Sequence, residues 1–124
     1  MTTRWRCCGM QGKINRIIFF EGDIETTGYF SRQMEKTFLK EGYQTYFFDY
    51  EKAAKSASGL LRFIKRGKTA VVTFNYHGLC GKNEIVYDEE MGGYIWDTFD
   101  IPCINIVVDH PFYYHHFFEC LPKR

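Results

Sequence analysis

Four short apolar runs, each followed by a stretch with helical spacing, limit what this chain can become. They lie in "RIIFF" (16–20), "YQTYFFDY" (43–50), "TAVVTFNYHG" (69–78) and "IPCINIVVDH" (101–110). A continuous apolar run of this length reads as a strand covered on both faces rather than one side of a solvated hairpin. Strands alternating with helices pair in parallel, because a parallel neighbour is reached only through a crossover and never by a tight turn. The fold class expected is α/β: a three-layer α/β/α sandwich around a Rossmann-like parallel sheet of about four strands. Those strands should fall near residues 14–20, 44–49, 69–75 and 103–108.

The intervening segments supply the helices. In "YFSRQMEKTFLKEG", Phe30, Met34 and Phe38 recur at helical spacing and form one apolar stripe, with Gly42 as the stop. In "EKAAKSASGLLRFIKRG", the residues expected to face the core are Ala53, Ala57, Leu60, Leu61 and Ile64, with Gly67 closing the helix. A longer loop, "LCGKNEIVYDEEMGG", precedes a short helix around "YIWDTFD", and "FYYHHFFECL" begins a last one. The organisation expected is a tail over residues 1–12 and one α/β domain over residues 13–124.

A chain of 124 residues with 45% hydrophobic and 25% charged residues can bury a real core. Its net charge of +1, with no basic run longer than two residues, gives no reason to expect nucleic acid or an anionic membrane as a partner. No segment approaches the roughly 18 consecutive apolar residues of a membrane span, and "MTTRWRCCGMQGK" lacks the apolar stretch of a signal peptide. The cytoplasm is therefore the expected location. Five cysteines (Cys7, Cys8, Cys80, Cys103 and Cys120) show no metal-type spacing, and free thiols are expected, with Cys103 packed in the core.

In a parallel sheet, ligands bind beyond the carboxyl ends of the strands. The residues at those exits are Glu21, Gly22 and Asp23, then Asp49, then Asn75 and His77, and last Asp109 and His110. An Asp that ends a strand is also commonly a helix cap, so each acid carries that plain alternative. The first loop, "EGDIETTG", lacks the middle glycine of a dinucleotide fingerprint, and there is no P-loop. It also lacks the second glycine of a methyltransferase, the flanking hydroxyls of a flavodoxin phosphate loop, and the acceptor Asp of a receiver domain after the third strand. No cofactor is expected. His77, His110 and Asp109 would make a His-His-carboxylate set, but no spacing requires it, and no metal is expected either.

The segment "YIWDTFDIPCINIVVDHPFYYH" resembles the N-terminal domain of bacterial family-1-like glycosyltransferases of two-Rossmann, GT-B architecture. The resemblance rests on Ile101-Pro102, the strand to Val108, then Asp109-His110-Pro111 and Phe112, with "VVTFNYHGL" matching the preceding strand. It implies an acceptor-side domain that is incomplete as a catalyst by itself. The sugar acceptor binds this domain, and the nucleotide-sugar donor binds only with a second one. Asp109 or His110 would then be the base that deprotonates an acceptor hydroxyl, with His77 as a third candidate. Gly22, Asn75, His77 and Phe112 would line the acceptor site. Pro111 would hold the strand exit extended by barring the α conformation at His110. Competing expectations are a non-enzymatic α/β ligand-binding or interaction domain, or a small methyltransferase-like domain. The fourth strand is expected at a sheet edge, where Ile104, Ile106, Val107 and Val108 invite self-association.

Overall fold

The two most apolar runs become the two central strands. In the computed structural model, which describes residues 13–21, 25–76, 78–79, 87–88, 90 and 92–108, β1 is Arg16–Phe20 and β3 is Thr69–Phe74. All six residues of β3 and four of the five in β1 are buried. Half-buried strands flank them: β2 (Gln44–Phe48) beside β1, and β6 (Cys103–Ile106) beside β3. The sheet order is β2-β1-β3-β6 and every pairing is parallel, with Ile18 opposite Tyr46 and Val71, and Val72 opposite Ile104. The expected α/β class and strand positions hold to within a residue or two. Among the described residues, β6 does lie at an edge of the sheet.

Side-chain alternation divides the core into two layers. Ile17, Phe19, Ala70 and Val72 face α1 (Glu25–Lys40), meeting Met34 and Phe38. Ile18, Phe20, Phe48 and Val71 face α2 (Ala53–Phe63) and the short α3 (Ile95–Thr98), meeting Leu60, Trp96 and Ile101. The crossovers through α1 and α2 run in opposite directions along the sheet and cover opposite faces, as crossovers of one hand must. This is the three-layer sandwich.

Helix α1 stops where Gly42 permits it. Gly42 sits at φ +88°, its N–H bonds to the Leu39 carbonyl, and the Tyr43 N–H reaches back to Phe38. These bonds make a Schellman cap, completed by the contact between Phe38 and Tyr43 (ring centroids 5.1 Å apart). Phe30 departs from the predicted stripe. It is 38% exposed and lies against Phe74 at the sheet's end, because small residues (Thr27, Gly28 and Ser31) form the buried face in that half of α1.

Leu61 corrects the expected face of α2. It is 57% exposed, while Ser56 and Leu60 are buried and Ala57 and Phe63 pack beside them. One residue past Leu60 is about 100° around the helix, which carries Leu61 off the contact. Ile64 joins the core from an extended conformation after the helix has ended. The loop before α3 holds a two-residue antiparallel ladder, β4 (Tyr87–Asp88) with β5 (Gly93–Tyr94), too short to leave a pattern in the sequence. The predicted tail and the helix from "FYYHHFFECL" lie outside the described residues. No described helix is long and apolar enough to cross a membrane.

Gly78 fastens the loop after β3 to the end of β1. Its carbonyl accepts the Trp96 Nε1–H at 3.0 Å, and its φ is +76°. A Cβ there would overlap the ring of Phe20, which is itself wedged between Phe48 and the fully buried Trp96. Gly78→Ala therefore adds a clash to left-handed strain, and should lower unfolding free energy by about 2 to 4 kcal/mol. A urea denaturation curve with an unshifted midpoint would contradict this packing.

Candidate functional site

The strand order fixes where a ligand site is expected. The connections leaving β1 and β3 diverge in opposite directions, so a crevice opens between their carboxyl ends. Glu21, Asp49, Asn75-Tyr76 and Val108 lie at the four exits of that edge.

Asn75 and Tyr76 both adopt left-handed backbone, at φ +51° and +60°. This costs roughly 1 to 2 kcal/mol per residue, less for asparagine, and persists only where neighbours enforce it. Two asparagines do so. The Asn105 Oδ1 accepts the Tyr76 N–H at 2.8 Å, and the Asn75 Oδ1 accepts the Val108 N–H at 3.0 Å. The Asn75 N–H in turn bonds to the Ile106 carbonyl at 3.0 Å. The exits of β3 and β6 are thus tied together by side chains after the regular ladder ends.

The two described acids at the ends of β1 and β2 have structural partners. Both Glu21 carboxylate oxygens accept from Arg32 Nη2, at 2.7 and 2.6 Å, and the Arg32 guanidinium lies 5.4 Å from the Phe47 ring centre. Asp49 caps the 3-10 turn Tyr50–Lys52, its Oδ1 accepting the Glu51 N–H at 2.9 Å. The Ser56 hydroxyl then bridges the Asp49 N–H and carbonyl, at 3.2 and 3.1 Å. Asp49 is a cap, the plain alternative for an Asp at a strand end. Beside these groups, Tyr29 is 59% exposed and its ring continues through Phe30 to Phe74.

Of the residues predicted to form a site, Asn75 is the one the structure describes; Gly22, His77, Asp109, His110 and Phe112 lie outside the described residues. Their chain neighbours Glu21, Tyr76, Gly78 and Val108 belong to the carboxyl edge. The His-His-carboxylate set is likewise outside, and no group of three His, Cys, Asp or Glu among the described residues is placed to hold a metal ion. Sequence reasoning missed Asn105, although a lone amide in the apolar run "INIVV" was a legible signal, since a partly buried amide needs partners. It also missed Arg32, whose distance from Glu21 in the chain left no local trace.

Cys103 sits at the other end of β6 and packs against the α2–α3 core layer. Burial, reinforced by the Asp97 charge, pushes its thiol far above the ordinary value of 9.0. The neutral thiol is therefore favoured over the reactive thiolate. In a variant with Cys7, Cys8, Cys80 and Cys120 replaced by serine, Cys103 should react with a chromogenic disulfide reagent at least ~100-fold more slowly in the folded chain than in urea. The unfolded thiol ionises where the folded one does not, so folding stability should fall as pH rises beyond 9.0. Equal labelling rates in the two states would refute this burial. Compared with known proteins, the chain is significantly similar to no family model, no curated protein and no solved structure.

Proposed function

We propose that this chain is the acceptor-binding, N-terminal domain of a GT-B-like glycosyltransferase, working with a second domain that holds the nucleotide-sugar donor. The observation that carries the reading is the Asn75–Val108 hydrogen bond, which ties the residue before Asp109 to the exit of β3. The resemblance at Asp109-His110-Pro111-Phe112 assigns its chemistry to the segment that starts at this point. Exposed aromatic surface on Tyr29 and Phe30 at the same edge suits the apolar face of a sugar ring. Within this proposal, Gly22, Asn75, His77 and Phe112 contact the acceptor.

Chemically, the domain supplies a base. Asp109 or His110 takes the proton from an acceptor hydroxyl as its oxygen attacks the anomeric carbon, and the nucleoside diphosphate leaves with the bonding electron pair. The donor and its leaving group belong to the partner domain. The edge of β6 is, in the same reading, where a further strand or a second copy of the chain docks.

Two measurements test the proposal. With the domain joined to its donor-binding partner, Asp109→Asn or His110→Ala should lower turnover by roughly two to four powers of ten with little loss of stability. Near-normal turnover in both variants would make these residues structural. The chain by itself should transfer no sugar and bind no nucleoside-diphosphate sugar at micromolar concentration. Such binding in a calorimetric titration would mean that the site is complete without a second domain.

A further inference from the structure

Folding places charge of opposite sign at the two edges of the described sheet. The segments entering the four strands, residues 13–16, 40–44, 62–68 and 97–102, carry seven Lys or Arg against Glu41, Asp97 and Asp100, a net of +4. The segments on the exit side, residues 21, 25–32, 49–52, 75–76, 78–79 and 107–108, carry four acids (Glu21, Glu25, Asp49 and Glu51) against Arg32 and Lys52, a net of −2. Four of the seven cations lie in the single stretch 62–68, and the fold brings Lys13, Arg16 and Lys40 to the same edge.

Helix C-termini favour cations, which accounts for part of the amino edge. Arg16 is such a case, its Nη1 donating to the Phe63 carbonyl at the end of α2. Lys13, Lys65 and Lys68 likewise lie outside the helices, with Lys65 two residues past the end of α2. The backbone draws these segments together: the Asn15 and Arg16 N–H groups both reach the Lys68 carbonyl, and the Lys68 N–H reaches that of Lys65. Arg66 is paired with Asp100, whereas neither Lys13, Arg62, Lys65 nor Lys68 has a carboxylate partner among the described residues.

Two leucines accompany the cations. Leu39 and Leu61, in the last turns of α1 and α2, are 50% and 57% exposed, one on each side of the sheet at its amino edge. Single exposed leucines are ordinary. A pair flanking unpaired cations has the chemistry of a surface that rests on anionic lipid, with cations at the headgroups and short apolar side chains entering the acyl boundary. A surface for single-stranded nucleic acid would need exposed rings among the cations. The large exposed aromatics, Tyr29 and Phe30, lie at the opposite, acidic edge.

We infer that the amino edge of the sheet, through Lys13, Arg62, Lys65, Lys68, Leu39 and Leu61, is a peripheral docking surface for membranes rich in anionic lipid. The inference is independent of the proposed glycosyltransferase role, and docking by this edge leaves the carboxyl edge facing the aqueous side. The test is co-sedimentation of the purified chain with phosphatidylcholine vesicles, with and without about 30% phosphatidylserine, at about 0.1 M salt. The chain should bind the anionic vesicles and not the neutral ones, and should be released by high salt.

Each cation near such a surface is worth about fivefold in affinity, so Lys65→Gln with Lys68→Gln should weaken binding about 25-fold while circular dichroism stays unchanged. Lys52→Gln, at the carboxyl edge, should leave binding within about twofold of the parent. Failure of the parent chain to bind anionic vesicles would overturn the inference, as would equal losses from the Lys52 and Lys65/Lys68 variants. Tighter binding to a short DNA duplex or to polyuridylate than to the vesicles would overturn it in favour of nucleic acid.

Discussion

The ring of Phe20 fixes the carboxyl edge of this sheet. It closes β1, packs between Phe48 and Trp96, and leaves room above it only for a glycine. Gly78 supplies that glycine, and its carbonyl is taken by Trp96, so one aromatic cluster binds β1, the loop after β3 and α3. Asn75 joins β3 to that loop, and its side chain accepts the Val108 N–H, so the same edge carries the Phe20 packing and the tie to the exit of β6.

The strands were legible because β1 and β3 are buried on both faces, and continuous apolar runs have few other uses in a chain of this size. Gly42 was legible because helices commonly end on a left-handed residue, a conformation glycine takes without steric cost, here at φ +88°. Leu61 misled because "GLL" offers two leucines, and propensity does not say which of two neighbours a tertiary contact will take. The hydrogen bonds of Asn75 and Asn105 span 33 and 29 residues, and the Glu21–Arg32 pair joins a strand to a helix. Partners of this kind are properties of the assembled sheet, and no local spacing announces them. For the described part of the candidate site, the sequence placed Glu21, Asp49 and Asn75 at strand exits, but not the partners that engage them.

Local and global preferences agree through most of the described chain; they conflict at Asp100, which is left-handed at φ +52°, and most strongly after β3. Two consecutive non-glycine residues are left-handed after β3, and an amide occupies the apolar strand β6 to hold them. Backbone strain that neighbouring groups enforce is the usual mark of a position selected for something other than stability. An extended Asn75-Tyr76 would continue the strand and carry the loop away from Phe20. The left-handed pair turns it back over the crevice, with the Tyr76 carbonyl accepting the Leu79 N–H to close the turn.

Charge then discriminates between ligands for that crevice. Four acids meet two cations at the described part of the carboxyl edge, and one of those cations, Arg32, is already spent on Glu21. A diphosphate entering there would face net negative potential with no free arginine fork to receive it. A neutral polyhydroxylated ring meets no such opposition and finds hydrogen-bonding backbone and an aromatic face instead. Under the proposed function, the asymmetry of the described residues, acidic at the crevice and basic at the far edge, favours an acceptor over a nucleotide there.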